Sequence, residues 1–326
     1  MSFISFSLRY YKEKLELWES SLLSHDDIYL VKQHLKMLDD LVDEGYNYLY
    51  NKMEEEYKGV SRLKALLNKY NSTPFENYKF NEELFNSDVV KMELNECINE
   101  LIIKSNNYNG LSGNPLLNDI IDFSKWIGNE DNTAYVFLLR DTLLPYIYFK
   151  NNYKCEIYPW LIGRSFMEYI ANEKNIDDII RSSIFDALEF CSDFNSFKSF
   201  CKNKILDDLK GYPIVIDEIM SMLKSINKDK ILVIESGCYG TFPLLLSILD
   251  DRVDFKMFTT VPYLLNIYGD RIYTKEYEKN RLFETLYSQD KLFKFDSYLD
   301  NKYYVLINDS DELNNKALAE IKKILL

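Results

Sequence analysis

Residues 235–241, ESGCYGT, place two glycines within four positions of a chain that has only ten in 326 residues. The aliphatic run ILVI precedes them and TFPLLLSIL follows, so the glycines fall between an expected strand and an expected helix. Gly237 and Gly240 permit positive φ and close backbone approach. The first amides of the following helix have no intrahelical partner and sit at the positive end of its dipole. Such a turn suits a phosphate, cradled by the backbone of Ser236, Gly237, Cys238, Tyr239 and Gly240 with the Thr241 hydroxyl as a further donor. The same residues also describe a tight turn whose glycines only relieve sterics and whose Thr241 only caps the helix.

Two more expected strand ends carry charge. Arg140-Asp141 follows AYVFLL, and Arg164-Ser165 follows WLIG. A guanidinium at the end of a buried strand is a good bidentate ligand for phosphate or carboxylate; the plainer reading pairs Arg140 with a nearby acid and lets Asp141 cap the next helix. Several other chemistries are disfavoured. The loop lacks the four-residue spacing and Lys-Ser/Thr of a Walker A turn, and it has no GxG. A serine nucleophile elbow needs glycine two residues before Ser236, where Ile234 stands. A Ser-His-Asp relay needs a histidine, and the two present, His25 and His34, lie in expected N-terminal helices. No arginine shortly follows Cys238 to serve a cysteine phosphatase. Asp309 and Asp311, after YYVLI, have too little chain behind them for an aspartyl phosphatase, and capping of the last helix explains them better.

The elements that must position these groups divide the chain. Ser24 is the expected N-cap of a long helix whose Ile28, Val31, Leu35, Leu38, Leu41 and Val42 share one face. Helical patterns recur at about 60–70, 86–104 and 115–126, and NNYNGLSGNP (106–115) resembles a linker. From residue 129 the pattern changes. Apolar runs at 134–140, 155–162, 231–235, 254–260 and 303–307 alternate with helical stretches, three of which fill 176–228. Strands apolar throughout and separated by helices imply a mostly parallel sheet with helices on both faces. The expected fold is therefore a helical N-terminal region, 1–128, followed by an α/β domain, 129–326, with a helical insert at about 176–228.

Composition bounds the partners. The chain is 47% hydrophobic and 28% charged, with a net charge of −13 that disfavours direct nucleic-acid binding and anionic membranes. No apolar stretch approaches membrane-spanning length, and the opening residues lack a signal-peptide pattern, so a cytoplasmic protein is expected. Five scattered cysteines without a CxxC pair suit reduced thiols rather than zinc or disulfides. The 26 tyrosines and 20 phenylalanines imply an aromatic core or an extended interaction surface.

FLLRDT (137–142), LIGRSF (161–166) and ESGCYGT (235–241), in that order at strand ends, resemble the type I phosphoribosyltransferase-like fold. More narrowly, they resemble divergent members found in bacterial gene clusters. The resemblance implies that residues 236–241 hold the 5-phosphate of a phosphoribosyl diphosphate or related nucleotide. It implies that Glu235 accepts from ribose hydroxyls, directly or around a Mg²⁺. Arg140 and Asp141 would lie near the diphosphate, and Arg164 would neutralise charge as the C1–O bond breaks. Substitution at C1 through an oxocarbenium-like state needs positioning and charge stabilisation more than a nucleophile. Three features depart from the family: Glu235-Ser236 replaces two adjacent acids, the turn is shorter, and Thr142 stands where the narrower group has glycine. Thr259, Thr260 and Tyr263 would line the base side of the pocket or simply form a turn.

Two functions follow. One is a phosphoribosyltransferase-like nucleotide binder or transferase whose helical region covers the pocket or mediates assembly. The other is a non-catalytic interaction protein of a bacterial defence or stress system, with a degenerate nucleotide-binding domain and helices that dock a protein partner or a second copy. Phosphoester hydrolysis ranks below both because the sequence offers no acidic cluster beyond Glu235 and Asp141.

Overall fold

The computed structural model describes residues 89–109, 117–139, 141–172, 176–237, 240–258, 265–273, 292–308 and 311–326. The expected Ser24 helix, both histidines, Arg140, Cys238, Tyr239, Thr259, Thr260, Tyr263 and Asp309 lie outside these residues. In chain order the elements begin with β1 (Val89–Glu93), α1 (Leu94–Asn107), α2 (Leu117–Ile127), β2 (Thr133–Leu138), α3 (Leu143–Asn152) and β3 (Glu156–Trp160). Four helices follow: α4 (Arg164–Ala171), α5 (Ile176–Phe190), α6 (Phe194–Asp208) and α7 (Pro213–Ser225). Then come β4 (Lys230–Ser236), α8 (Thr241–Leu249), β5 (Val253–Phe258), α9 (Leu265–Tyr268), β6 (Ile272–Tyr273), β7 (Lys294–Leu299), β8 (Lys302–Asn308) and α10 (Asp311–Leu325).

Five of the strands form a parallel sheet in the order β3-β2-β4-β5-β6. The expectation of an α/β domain with a parallel sheet holds for this part. All six residues of β2 are buried, as are Ile231, Leu232, Val233 and Ile234 of β4. Continuous apolar runs fit central strands covered on both faces. The edge strand β3 is more exposed and carries Pro159, whose missing N–H is tolerated at an edge.

The remaining strands correct the expectation. The run at 303–307 does not join the parallel sheet; β8 is the middle strand of a separate antiparallel sheet, β1-β8-β7. Along β8, Tyr303, Val305 and Ile307 are buried while Tyr304 and Leu306 are half-buried. That alternation marks an antiparallel sheet packed on one face. The connection to β7 is the two-residue turn Asp300-Asn301, with φ of 52° and 60°. Positive φ at both central residues is the twist a tight hairpin requires, and Asp and Asn tolerate it. Val89–Glu93, expected to be helical, is instead a strand whose Val89 pairs with Asn308 and Glu93 with Tyr304. β1 and α1 thus belong to the same compact unit as both sheets, whereas Ser182–Ser192 belongs to a separate one.

Helix ends are fixed by local chemistry. The Asp193 carboxylate accepts from the amides of Asn195 (3.0 Å) and Ser196 (3.1 Å), capping α6. Two cations flanking or within β5 satisfy the last carbonyls of helices. Arg252 donates to the carbonyl of Leu223 in the last turn of α7 (2.9 Å) and to those of Ile226 (2.9 Å) and Lys228 (3.1 Å) after it, and pairs with Asp250 at 2.7 Å. Lys256 Nζ donates to the carbonyls of Trp126 (3.1 Å) and Ile127 (2.9 Å) and lies 4.6 Å over the Trp126 ring. These bonds place positive charge at the negative ends of α2 and α7 and lock both helices onto the sheet.

Candidate functional site

The order of the parallel sheet locates the site. From β2 the chain crosses through α3 to β3 on one side; from β4 it crosses through α8 to β5 on the other. Divergent crossovers leave a crevice outside the carboxyl ends of β2 and β4, the usual ligand position in an open α/β sheet. Because β3, β2 and β4 are neighbours and parallel, the described residues that follow them, 161–164, 139 and 141–142, and 237 and 240–241, emerge along one sheet edge. The carboxyl ends of the three strands that precede the predicted charged or glycine-bearing segments are therefore neighbours at the backbone level. Neighbouring strands lie about 4.8 Å apart, so one small ligand can span the three ends.

The first end, after β2, is closely tied down. Leu139 N donates to Trp160 O at 2.8 Å, extending the ladder to β3 by one residue. Thr142, fully buried, occupies the N-cap position of α3, and its hydroxyl donates back to Leu138 O at 2.8 Å. The cap position therefore falls to Thr142 and not to Asp141, which stands half-buried before it. At the second end, Gly163 is the extended N-cap of α4 and Arg164 is its exposed first residue.

The third end is the turn after β4. Ser236 is buried at the last position of the strand and pairs with Phe258. Gly237 N donates to Phe258 O at 3.1 Å, which continues the β4–β5 ladder. That amide serves the sheet, so it is not a donor to a ligand. Gly240, not Thr241, occupies the N-cap position of α8, with φ 66° and ψ 33°. Thr241 is the first helical residue, largely buried, and the third is Pro243, which has no N–H. The amides that head the helix without intrahelical partners are thus those of Thr241 and Phe242.

The reason for glycine at 240 lies behind the turn. A Cβ there would lie 3.0 Å from Met257 Sδ and 3.5 Å from Tyr268 Cε2, and both side chains are fully buried. Tyr268 in turn meets Phe194, Phe197 and Phe255 edge-on, with centroids at 5.9, 5.5 and 5.4 Å. Edge-to-face pairs of this kind contribute about 0.5–1.5 kcal/mol each beyond area burial. Neither Met257 nor Tyr268 stood out in the sequence. A contact between a turn and a later segment leaves no periodic signal.

Glu235 is half-buried, with one carboxylate oxygen shielded from solvent. Its Cδ lies 3.5 Å from the position a Cβ on Gly237 would take. Burial chiefly, then the Cys201 thiol and the Glu235 charge, pushes the Tyr268 phenol well above its ordinary value, which puts Glu235 and Tyr268 in one electrostatic environment. Among the described residues, no three His, Cys, Asp or Glu side chains group to hold a metal ion. Asp311 opens α10, which follows β8 of the antiparallel sheet.

Among the described residues, no helix is long and apolar enough to cross a membrane. No protein-family model, curated protein or solved structure matches the chain.

Proposed function

We propose that the chain binds a phosphoribosyl diphosphate or related nucleotide in the crevice between the ends of β2 and β4, as a phosphoribosyltransferase-like protein. The observation that carries this reading is the coincidence of the topological switch point with the left-handed Gly240 turn into α8. A phosphate above that turn meets the amides of Thr241 and Phe242 at the positive end of the helix. Arg164 at the neighbouring strand end supplies positive charge to a diphosphate, with Arg140 as the second guanidinium the sequence offers there. Asp141 and Glu235 are the carboxylates available to ribose hydroxyls.

Binding stands ahead of transfer in this reading. The turn lacks the second acid that the resembled family uses, Gly237 N–H is engaged by β5, and Pro243 removes one more amide. Any Mg²⁺ would arrive with the diphosphate and take Glu235 as a single protein carboxylate. One observation favours the second reading, a non-catalytic interaction protein: the φ of 66° and the close Met257 Sδ account for a glycine at 240 without a ligand.

Calorimetric titration and thermal shift with phosphoribosyl diphosphate, with and without Mg²⁺, separate the two. A ligand at a hundred times its Kd stabilises the native state by about 2.7 kcal/mol. Gly240→Asp, which sets a carboxylate in the cradle, should abolish the shift. A wild-type protein unmoved by the ligand leaves the interaction-protein reading in place.

A further inference from the structure

Helix α4 follows the end of β3, but its main packing partners are α7 and β7 of the antiparallel sheet. Phe166, in its first turn, is fully buried and meets three rings of that sheet. Phe295 and Tyr298 of β7 lie edge-on to it at 5.9 and 5.4 Å, and Tyr303 of β8 lies tilted at 5.7 Å. Tyr298 and Tyr303 face each other across the hairpin with ring centroids 4.8 Å apart, and the Tyr303 hydroxyl lies 3.9 Å from Met222 Sδ of α7. Met167, beside Phe166, is also fully buried, whereas Arg164 and Ser165 are exposed. Nothing local holds this helix head. Gly163 at the N-cap has no side chain with which to cap it, and eight residues are too few for a helix to persist without tertiary packing. A fully enclosed ring permits little movement, so the residues just before it inherit its position.

We infer that Phe166 is the positioning residue of the β3 end: its burial among Phe295, Tyr298 and Tyr303 sets where the backbone carries Arg164 at the edge of the crevice. This inference rests on the reading of that crevice as a diphosphate site, and it concerns the backbone beneath Arg164, whichever groups the guanidinium meets. It gives the antiparallel sheet a share in the site. The β7–β8 hairpin buttresses the β3 side of the crevice through one ring, while the ladder bond from Leu139 N to Trp160 O ties that side to the end of β2. The ring contacts are what act, so Phe166→Leu, which keeps the position apolar and loses them, is the informative change.

The test uses the full chain, with inorganic pyrophosphate and Mg²⁺ as the probe and amide hydrogen exchange as a readout that needs no ligand. Exchange is followed at Met167, whose amide donates to Gly163 O at 3.0 Å and closes the first turn of α4. In Phe166→Leu it should rise about tenfold, while Leu244 in α8 and Val136 in β2 keep their wild-type rates, because local opening is measured separately from global unfolding. Pyrophosphate affinity should fall about tenfold in the same variant. In an Arg164→Ala background the same change should cost less than about twofold, since a residue that acts through Arg164 then has nothing left to place. Wild-type exchange at Met167 or wild-type affinity in Phe166→Leu would overturn the inference. So would an equal loss of affinity in both backgrounds, which marks a general loss of packing. If wild type does not bind pyrophosphate, the diphosphate reading fails, and exchange at Met167 alone decides whether Phe166 holds the helix head. Should Phe166→Leu fail to fold, Phe295→Leu removes one half-buried wall of the same nest and is read by the same outcomes.

Discussion

Gly240→Ala is the sharpest probe of the turn, because the chain supplies its own control. Gly128 also has positive φ, 75°, but a Cβ there would meet nothing within 4 Å. Alanine in the left-handed region costs about 1 kcal/mol relative to glycine. Gly128→Ala should lose that amount and no more. Gly240→Ala carries the same conformational cost at φ 66°, plus a Cβ 3.0 Å from the Sδ of a fully buried methionine. Overpacking in a closed interior adds about 1–3 kcal/mol, so the expected loss is about 2–4 kcal/mol. Urea unfolding of the two variants measures the gap, read as a fall in midpoint at constant slope. Met257→Ala in the Gly240→Ala background then isolates the steric part. Removing Sδ and Cε opens the space that the new Cβ needs, so the double variant should lose about 1 kcal/mol less than the sum of the singles. Equal losses at Gly128 and Gly240, or strict additivity with Met257→Ala, would refute the steric contact.

Arg252→Ala should destabilise by about 2 kcal/mol, since three carbonyls in and just after the last turn of α7 and the Asp250 carboxylate lose a charged donor. The Arg252 bond holds the Asp250 carboxyl below its ordinary 3.8, so this contribution is present above that pH and lost as pH falls through the lowered value. The gap between wild type and Arg252→Ala in acid denaturation should narrow below pH 3.8, and a constant gap would exclude the pair as its source. Glu320 behaves oppositely: burial raises its carboxyl above the ordinary 4.5, with Lys323 3.6 Å away opposing the shift, and neither oxygen is hydrogen-bonded. Its stabilising contribution is complete below 4.5 and declines as pH rises through the raised value, so Glu320→Gln should gain on wild type with rising pH. Parallel pH curves for the two proteins would show that Glu320 is not the group responsible.

The central strands were legible in the sequence because burial on both faces makes them apolar at every position, as in AYVFLL and ILVI. The same rule misassigned β8. YYVLI is apolar throughout, yet Tyr304 and Leu306 are half-buried on one face of an antiparallel sheet. Tyrosine and leucine serve a half-covered face as well as a closed one, so hydrophobicity did not separate the two cases. The deciding signal was the Asp300-Asn301 turn, whose positive φ at both residues requires a hairpin. β1 was hidden for a different reason. Val89, Val90 and Met92 run straight into the helix at Leu94, and the apolar spacing of that helix extends backward through them. Only pairing with β8, more than 200 residues later, makes them a strand.

The turn at 235–241 was visible because two glycines are conspicuous where glycine is scarce, but the residue type alone did not separate the reasons for it. Gly237 sits where the backbone continues the ladder to Phe258, and no positive φ demands a glycine there. Gly240 is favoured twice over, by its φ of 66° and by Met257 Sδ, 3.0 Å from where a Cβ would lie. Thr241 looked like a cap in the sequence and is the first helical residue instead, because the left-handed glycine already turns the chain into α8. The consequence for recognition is specific. With the Gly237 amide in the sheet and Pro243 at the third helical position, main-chain donation to an anion narrows to the head of the helix. On the proposed reading, charge for a diphosphate comes from side chains at the neighbouring strand ends, where Arg164 stands exposed after β3. On the proposed reading, backbone geometry fixes one phosphate and the exposed Arg164 side chain supplies charge to the other, which suits holding a nucleotide better than stabilising a short-lived charge.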